Sequence, residues 1–189
     1  MQKTIEAVLD TIEKLNAKRC IVAIDGRCAS GKSTLADELS NALDCSVVHM
    51  DDFFLQPYQR TEERLLEIGG NVDYERFLEE VITPLKRNES FSYRPFDCHT
   101  LSFKEAKEIA KIDVVIIEGA YSCHPRFDDI YDLKIFLDVD KADQLKRIEK
   151  RNGKNQISAF VNKWIPLEER YLEAFNIQEK CDMVFQLKF

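Results

Sequence analysis

Eight residues, Gly26-Arg-Cys-Ala-Ser-Gly-Lys-Ser33, set a glycine at each side of a short loop and end on a lysine and a hydroxyl, a spacing suited to gripping phosphate. Glycine permits backbone conformations closed to other residues and lets amides approach an anion. Successive N–H groups then converge on that anion at the start of a helix, where the macrodipole also favours negative charge. The expected cradle is Gly26, Arg27, Cys28, Ala29, Ser30, Gly31, Lys32, Ser33 and Thr34. In this pattern Lys32 reaches the β- and γ-phosphates of a nucleoside triphosphate and the Ser33 hydroxyl ligates Mg²⁺. A chance match in a glycine-containing loop is the bland alternative, and a strand before and a helix after are what discriminate against it.

Acidic residues supply the remaining chemistry. Glu118 ends the apolar run Asp113-Val-Val-Ile-Ile-Glu118. A carboxylate at the C-terminal end of a sheet strand faces the crevice where open α/β folds bind ligands. There it would hold Mg²⁺ directly or through water, unless it is merely a solvated strand-end acid. Asp51 and Asp52 follow Ser46-Val-Val-His-Met50. Phosphoryl transfer to an alcohol gains from a carboxylate that orients the hydroxyl and accepts its proton. Adjacent acids on an extended segment point opposite ways, so one of the two faces the site. A turn-forming Asp pair or a helix cap is the other reading.

These residues need elements to position them. Apolar spacing predicts helices over 3–17, 33–43, 59–68, 73–87, 142–151 and 157–175, with Pro84 straining the last turn of the fourth. Short apolar runs predict buried strands at 20–25, 46–50, 113–118, 133–138 and 183–187. Alternating aromatic and polar residues over 91–103 predict a hairpin or extended flap. Strands alternating with helices point to a mostly parallel five-stranded sheet covered on both faces. Trp164, Tyr171 and Phe175 are expected in the core of the C-terminal helices.

The totals exclude several classes. A chain of 189 residues with a formal charge of −7 suits one domain, over 1–189, and argues against a nucleic-acid surface, which needs clustered cations. The six cysteines show no C-x-x-C pair, the N-terminus has no apolar signal core, and no run approaches the roughly 20 apolar residues of a membrane span. A reduced, cytoplasmic protein with no membrane partner is the expectation.

Six segments in order carry a resemblance: residues 26–33, His49-Met-Asp-Asp-Phe-Phe54, Gly70-Asn-Val-Asp-Tyr74, Tyr93-Arg-Pro-Phe-Asp97, Val115-Ile-Ile-Glu-Gly119 and Arg147-Ile-Glu-Lys-Arg-Asn152. From Ile21 to about Phe175 the chain resembles the uridine kinase-like P-loop kinases, which include nicotinamide riboside and pantothenate kinases. The resemblance implies the P-loop NTPase fold, a flap over about 91–103 and a helical lid over about 142–156. It implies ATP and Mg²⁺ as cofactors and a small-molecule acceptor, and a homo-oligomer stays open.

Site roles follow from matching positions. The resemblance makes Asp51 the general base and places it beside Ser33 and Glu118 among the metal-site oxygens. Lys32 and the pair Arg147 and Arg151, four apart on one helix face, would stabilise the transferring phosphoryl group. Asp73 would grip ribose hydroxyls, although an Asp there also caps a helix well. Phe96 and His99 would contact the acceptor, with Phe96 standing where relatives often carry tyrosine. Arg60 and Arg64, also four apart, either meet an anionic acceptor or pair with Glu63 and Glu67. A nucleoside-like acceptor is the first expectation, and pantothenate or a sugar phosphate the alternative. Rival classes are a regulatory NTPase and a nucleotide-binding module without catalysis.

Overall fold

Continuous apolar runs are buried on both sides, and that makes them the middle of a parallel sheet. The computed structural model describes residues 1–110 and 113–187, so positions 111–112 and 188–189 of the expected domain lie outside it. Its strands are β1 (Cys20–Gly26), β2 (Ser46–His49), β3 (Phe91–Tyr93), β4 (Phe96–Asp97), β5 (Ser102–Phe103), β6 (Lys107–Ile109), β7 (Val114–Glu118), β8 (Leu133–Asp138) and β9 (Met183–Gln186). Five of them form one sheet in the order β2-β7-β1-β8-β9, every neighbouring pair parallel. The five strands expected from the sequence are these five.

Residues alternate between the two faces. Ile21, Ala23, Val115 and Ile117 pack under Phe53, Phe77 and Tyr171 on one side. Val22, Ile24 and Ile116 meet Val8, Leu35 and Leu39 on the other, beneath helices α1 (Gln2–Leu15) and α2 (Lys32–Leu43). Because the strands run parallel, Gly26, His49, Glu118 and Asp138 all end at one edge. This shared edge positions the site.

Gly26 makes the turn from β1 into the loop at φ +135°, and a Cβ there would lie 2.0 Å from the Leu137 carbonyl oxygen of the adjacent β8. Left-handed backbone strain and a backbone clash therefore coincide. Gly26→Ala is expected to lose roughly 3 kcal/mol or more of stability, read from urea denaturation. An unchanged midpoint would show that β1 and β8 separate freely at this point.

The helical regions differ from sequence spacing in instructive ways. Tyr74–Phe77, Leu78–Ile82 and Thr83–Lys86 run on without a break through Pro84, the middle piece being a π-turn. The expected 157–175 helix is likewise Lys154–Ala159, a π-turn at Phe160–Trp164 and Ile165–Phe175, with Pro166 at the same offset after the turn. A π-turn widens the helix by one residue and changes which carbonyls need donors, so a proline just after it is accommodated. The same extra residue shifts the helical phase. Trp164, expected in the core, is 39% exposed with the Lys163 ammonium 4.5 Å from its ring centroid, whereas Tyr171 is fully buried.

The aromatic segment extends beyond 103. An inner antiparallel pair, β4 with β5, is continued by an outer pair, β3 with β6, ending at Ile109. Phe96 and Phe103 stack edge-on across the inner pair at 5.4 Å. Among the described residues no helix is long and apolar enough to cross a membrane.

Candidate active site

The strand–loop–helix context required of a phosphate cradle is present: β1 leads into the loop, and α2 begins at Lys32 behind Gly31 at φ 107°. Lys32 folds back over the loop, its Nζ donating to the Gly26 carbonyl at 2.7 Å and the Arg27 carbonyl at 3.0 Å. Ala29 adopts a left-handed φ of 59°. Arg147 spans this strained stretch, donating to the Ala29 and Ser30 carbonyls at 2.9 and 3.2 Å and to the Leu187 carbonyl at 3.1 Å. The structure thus places Arg147 on the cradle's backbone, while its helix neighbour Arg151 lies within electrostatic reach of Asp51 and Cys28.

A second set of contacts clamps the loop. Arg27 pairs with Asp138 at 2.6 Å and with Glu169 through two nitrogens at 2.7 and 3.0 Å. The Cys28 amide donates to Glu168 at 2.7 Å, and Gln144 donates to the Cys28 carbonyl at 3.1 Å. Burial, with Glu168 alongside, pushes the Cys28 thiol up to about 12, which makes it unreactive. Beneath the loop Asp25 is fully buried and accepts from the amides of Gly26 and Cys123 and from the Tyr171 hydroxyl. Burial holds its carboxyl above the ordinary range.

The metal-site candidates come together. Ser33 Oγ lies 3.2 and 3.3 Å from the two Glu118 oxygens. His49, the register partner of Glu118 on the adjacent strand, sets Nδ1 2.6 Å from Oε1, and this hydrogen bond raises its imidazole pKa. Among the described residues no group of three or more His, Cys, Asp or Glu side chains could hold a metal. A hydroxyl and a carboxylate nevertheless fit Mg²⁺, a hard cation that takes oxygen ligands, keeps several waters and commonly needs only one or two protein carboxylates beside substrate phosphates.

The two adjacent aspartates separate clearly. Asp52 Oδ2 accepts from the Tyr93 hydroxyl at 2.9 Å and from Lys107 Nζ at 2.8 Å. Tyr93 and Lys107 are register partners on β3 and β6, so Asp52 anchors the outer ribbon. Asp51 opens to solvent at the mouth of the site. The protein crowded around it and the Glu118 carboxylate hold its pKa up, against Lys32 and Arg151.

The expected acceptor contacts are less uniform. Asp73 is buried, its Oδ1 accepting from the Arg76 amide at 3.1 Å as the helix cap, and its other oxygen 3.7 Å from Arg76 Nε. Phe96 is buried within the ribbon. His99 is exposed at the ribbon's turn, where its amide and Lys104 pull the Asp97 carboxyl down to about 2. Arg64 is structural: it donates to the Gly70 and Val72 carbonyls, grips Glu75 with two bonds and lies 3.6 Å over the Tyr74 ring. Arg60 donates to the Leu55 carbonyl and reaches Cys98 Sγ on the ribbon at 3.7 Å. A hollow of about 320 Å³ between Leu65 and the Asn162–Arg170 side includes none of the phosphate-site residues.

Sequence reasoning left Asp25, His49, Gln144, Glu168 and Glu169 without a role. His49 was legible in principle, since parallel pairing of the second and third strands sets it beside Glu118. Glu168 was not, because its contact spans 140 positions of sequence.

Comparison with known proteins agrees with this architecture. A family model described as an AAA domain matches residues 22–174. A possible uridine kinase from Bacillus stearothermophilus has a similar structure, with 24% identity, a TM-score of 0.74 and coverage of 97% of this chain and 98% of that one. A candidate fructose transport system kinase from Silicibacter sp. TM1040 matches with 26% identity, a TM-score of 0.73 and 97% coverage of both chains. Phosphoribulokinase from Rhodobacter spheroides shares the fold more distantly, at 15% identity and a TM-score of 0.59, over 89% of this chain and 70% of that one. No curated protein matches the chain significantly.

Proposed function

This chain belongs to the AAA domain family and has a P-loop kinase fold, and we propose that it transfers the γ-phosphoryl group of ATP to a hydroxyl of a small, nucleoside-like acceptor. The observation that carries this is the division of labour among the acids: Glu118 is held on Ser33 and His49, Asp52 on the ribbon, and Asp51 is exposed within electrostatic reach of Lys32 and Glu118.

The loop amides and Lys32 would bind the phosphates. Ser33 and Glu118 would hold Mg²⁺, which when bound neutralises charge between the β- and γ-phosphates. His49 orients the Glu118 carboxylate for that task, as partners of ligating groups commonly do. Asp51 would align the acceptor hydroxyl and take its proton as the oxygen bonds to phosphorus and the bond to ADP breaks. Arg151 would face the transferring group, while Arg147 keeps the loop in shape. Most of the acceleration is positioning and charge stabilisation.

An acceptor that is not a nucleoside, such as pantothenate or a sugar phosphate, is the second reading. Phe96 offers no hydroxyl, and the Asp73 carboxylate is already taken by its helix cap and Arg76, which removes two groups a ribose would use. Incubating the protein with Mg-ATP and a panel of nucleosides, sugars and related alcohols separates these readings. Acceptor-dependent ADP release supports the kinase; equal hydrolysis without acceptor overturns it in favour of an NTPase. Glu118→Gln is expected to raise the Mg²⁺ needed for half-maximal activity roughly 10- to 100-fold. An unshifted magnesium titration would remove Glu118 from the metal site.

A further inference from the structure

Glu168 deserves a role because of where it sits. Its side chain comes from the first turn of the Ile165–Phe175 helix, is only 5% exposed, and accepts from the Cys28 amide at 2.7 Å. That amide belongs to the cradle, whose N–H groups converge on phosphate. Lys32, the cradle's cation, lies close enough to act on the same carboxyl. A carboxylate thus holds a cradle amide of the kind that phosphate oxygen would use, beside the cradle's lysine.

The flanking residues hold it there. Glu169 grips Arg27 and Tyr171 donates to Asp25, so three of four consecutive residues on this helix fasten it to the loop and its stem. Moving this helix away from the loop would require breaking these contacts as well. A charged carboxylate that stays in place would repel the incoming phosphate. A neutral one would not, and its O–H would become a donor to a phosphate oxygen.

We propose that Glu168 is a further phosphate-site residue that binds the triphosphate in its protonated form, so that nucleotide binding takes up one proton at this side chain. This rests on the phosphate role of the loop proposed above. The proton comes from solvent, the acid donates it in a hydrogen bond to a phosphate oxygen, and no covalent bond changes. The groups facing Glu168 are Lys32 from α2, Cys28 from the loop, Asp25 from β1 and Tyr121 from the segment after β7. Burial foremost, with Asp25 adding to it and Lys32 and Cys28 opposing, brings the Glu168 carboxyl up to about 7. The proton uptake therefore falls in an accessible pH range.

Binding that favours the protonated acid raises its pKa further, so affinity is full below pH 7 and falls as pH rises above it. With ATP as the probe, titration calorimetry at pH 6, 7 and 8 in buffers of different ionisation heat measures Kd and protons exchanged. The full-length native protein is expected to weaken about tenfold in Kd from pH 6 to pH 8, relative to Glu168→Gln. It should also take up more protons than this variant, which keeps a carbonyl for the Cys28 amide and carries no proton to exchange. Referring each value to the variant cancels the titration of ATP itself. Glu169→Gln, which loosens Arg27 but leaves Glu168 in place, should keep the native proton uptake. Equal proton uptake and parallel pH profiles for native protein and Glu168→Gln overturn the role of Glu168 alone. Absence of nucleotide binding by both proteins overturns this role and the proposed function together.

Discussion

Lys32→Ala is expected to lower turnover by about 10²–10³, or roughly 3–4 kcal/mol of transition-state stabilisation, and to weaken ATP binding. The ammonium is buried on the loop with two of its carbonyls as partners. Removing it leaves the phosphate charge to the amides, Mg²⁺ and Arg151. It also takes a donor from the Gly26 carbonyl and leaves the Arg27 carbonyl with the Ser30 amide, so the thermal midpoint of the nucleotide-free protein must be measured alongside. Loss of turnover with an unchanged midpoint assigns the effect to charge. A variant retaining native turnover would show that Lys32 only braces the loop.

Asp51→Asn should lower kcat by about 10²–10⁴ while leaving the Kd for ATP nearly intact, since its expected partner is the acceptor hydroxyl. The neutral amide keeps the shape and loses the ability to take the proton. Asp52→Asn provides the contrast. It weakens bonds to Tyr93 and Lys107, so it should loosen the ribbon and raise the acceptor KM more than it lowers kcat. If Asp52→Asn abolishes kcat and Asp51→Asn does not, the roles of the two acids are reversed. Acceptor KM and kcat measured for both variants decide the matter.

These contrasts were only half visible in the sequence. The pair Asp51-Asp52 reads as one base and one bystander by strand alternation. Which residue is which depends on Lys107, 55 positions later, folding back onto Asp52 through the β3–β6 ribbon. Arg147 and Arg151 likewise look equivalent on one helix face. Arg147 is drawn onto the Ala29 and Ser30 carbonyls, whereas Arg151, one turn on, lies within electrostatic reach of Asp51. For Asp73 the capping alternative is the geometry observed, and the Arg76 amide is its partner.

Local patterning was enough for the framework. The five buried strands, the helix after Lys32 and the phosphate loop between them depend on hydrophobic runs, glycine and short-range hydrogen bonds. Each is encoded within a dozen neighbouring residues, and each lies where the sequence puts it. Interruptions of that pattern were not legible, as at Trp164, because a π-turn shifts helical phase without any composition signal of its own.

By itself, then, the sequence determined a P-loop α/β fold with Lys32, Ser33, Glu118 and an acid at position 51 or 52 at one sheet edge. Only the tertiary structure decided which charges remain available there. It paired Glu118 with His49, Asp52 with the ribbon, Arg147 with the loop and Glu168 with the Cys28 amide. The physical reason is that a charge acquires its role from the partner that satisfies or crowds it, and those partners meet only when distant segments pack.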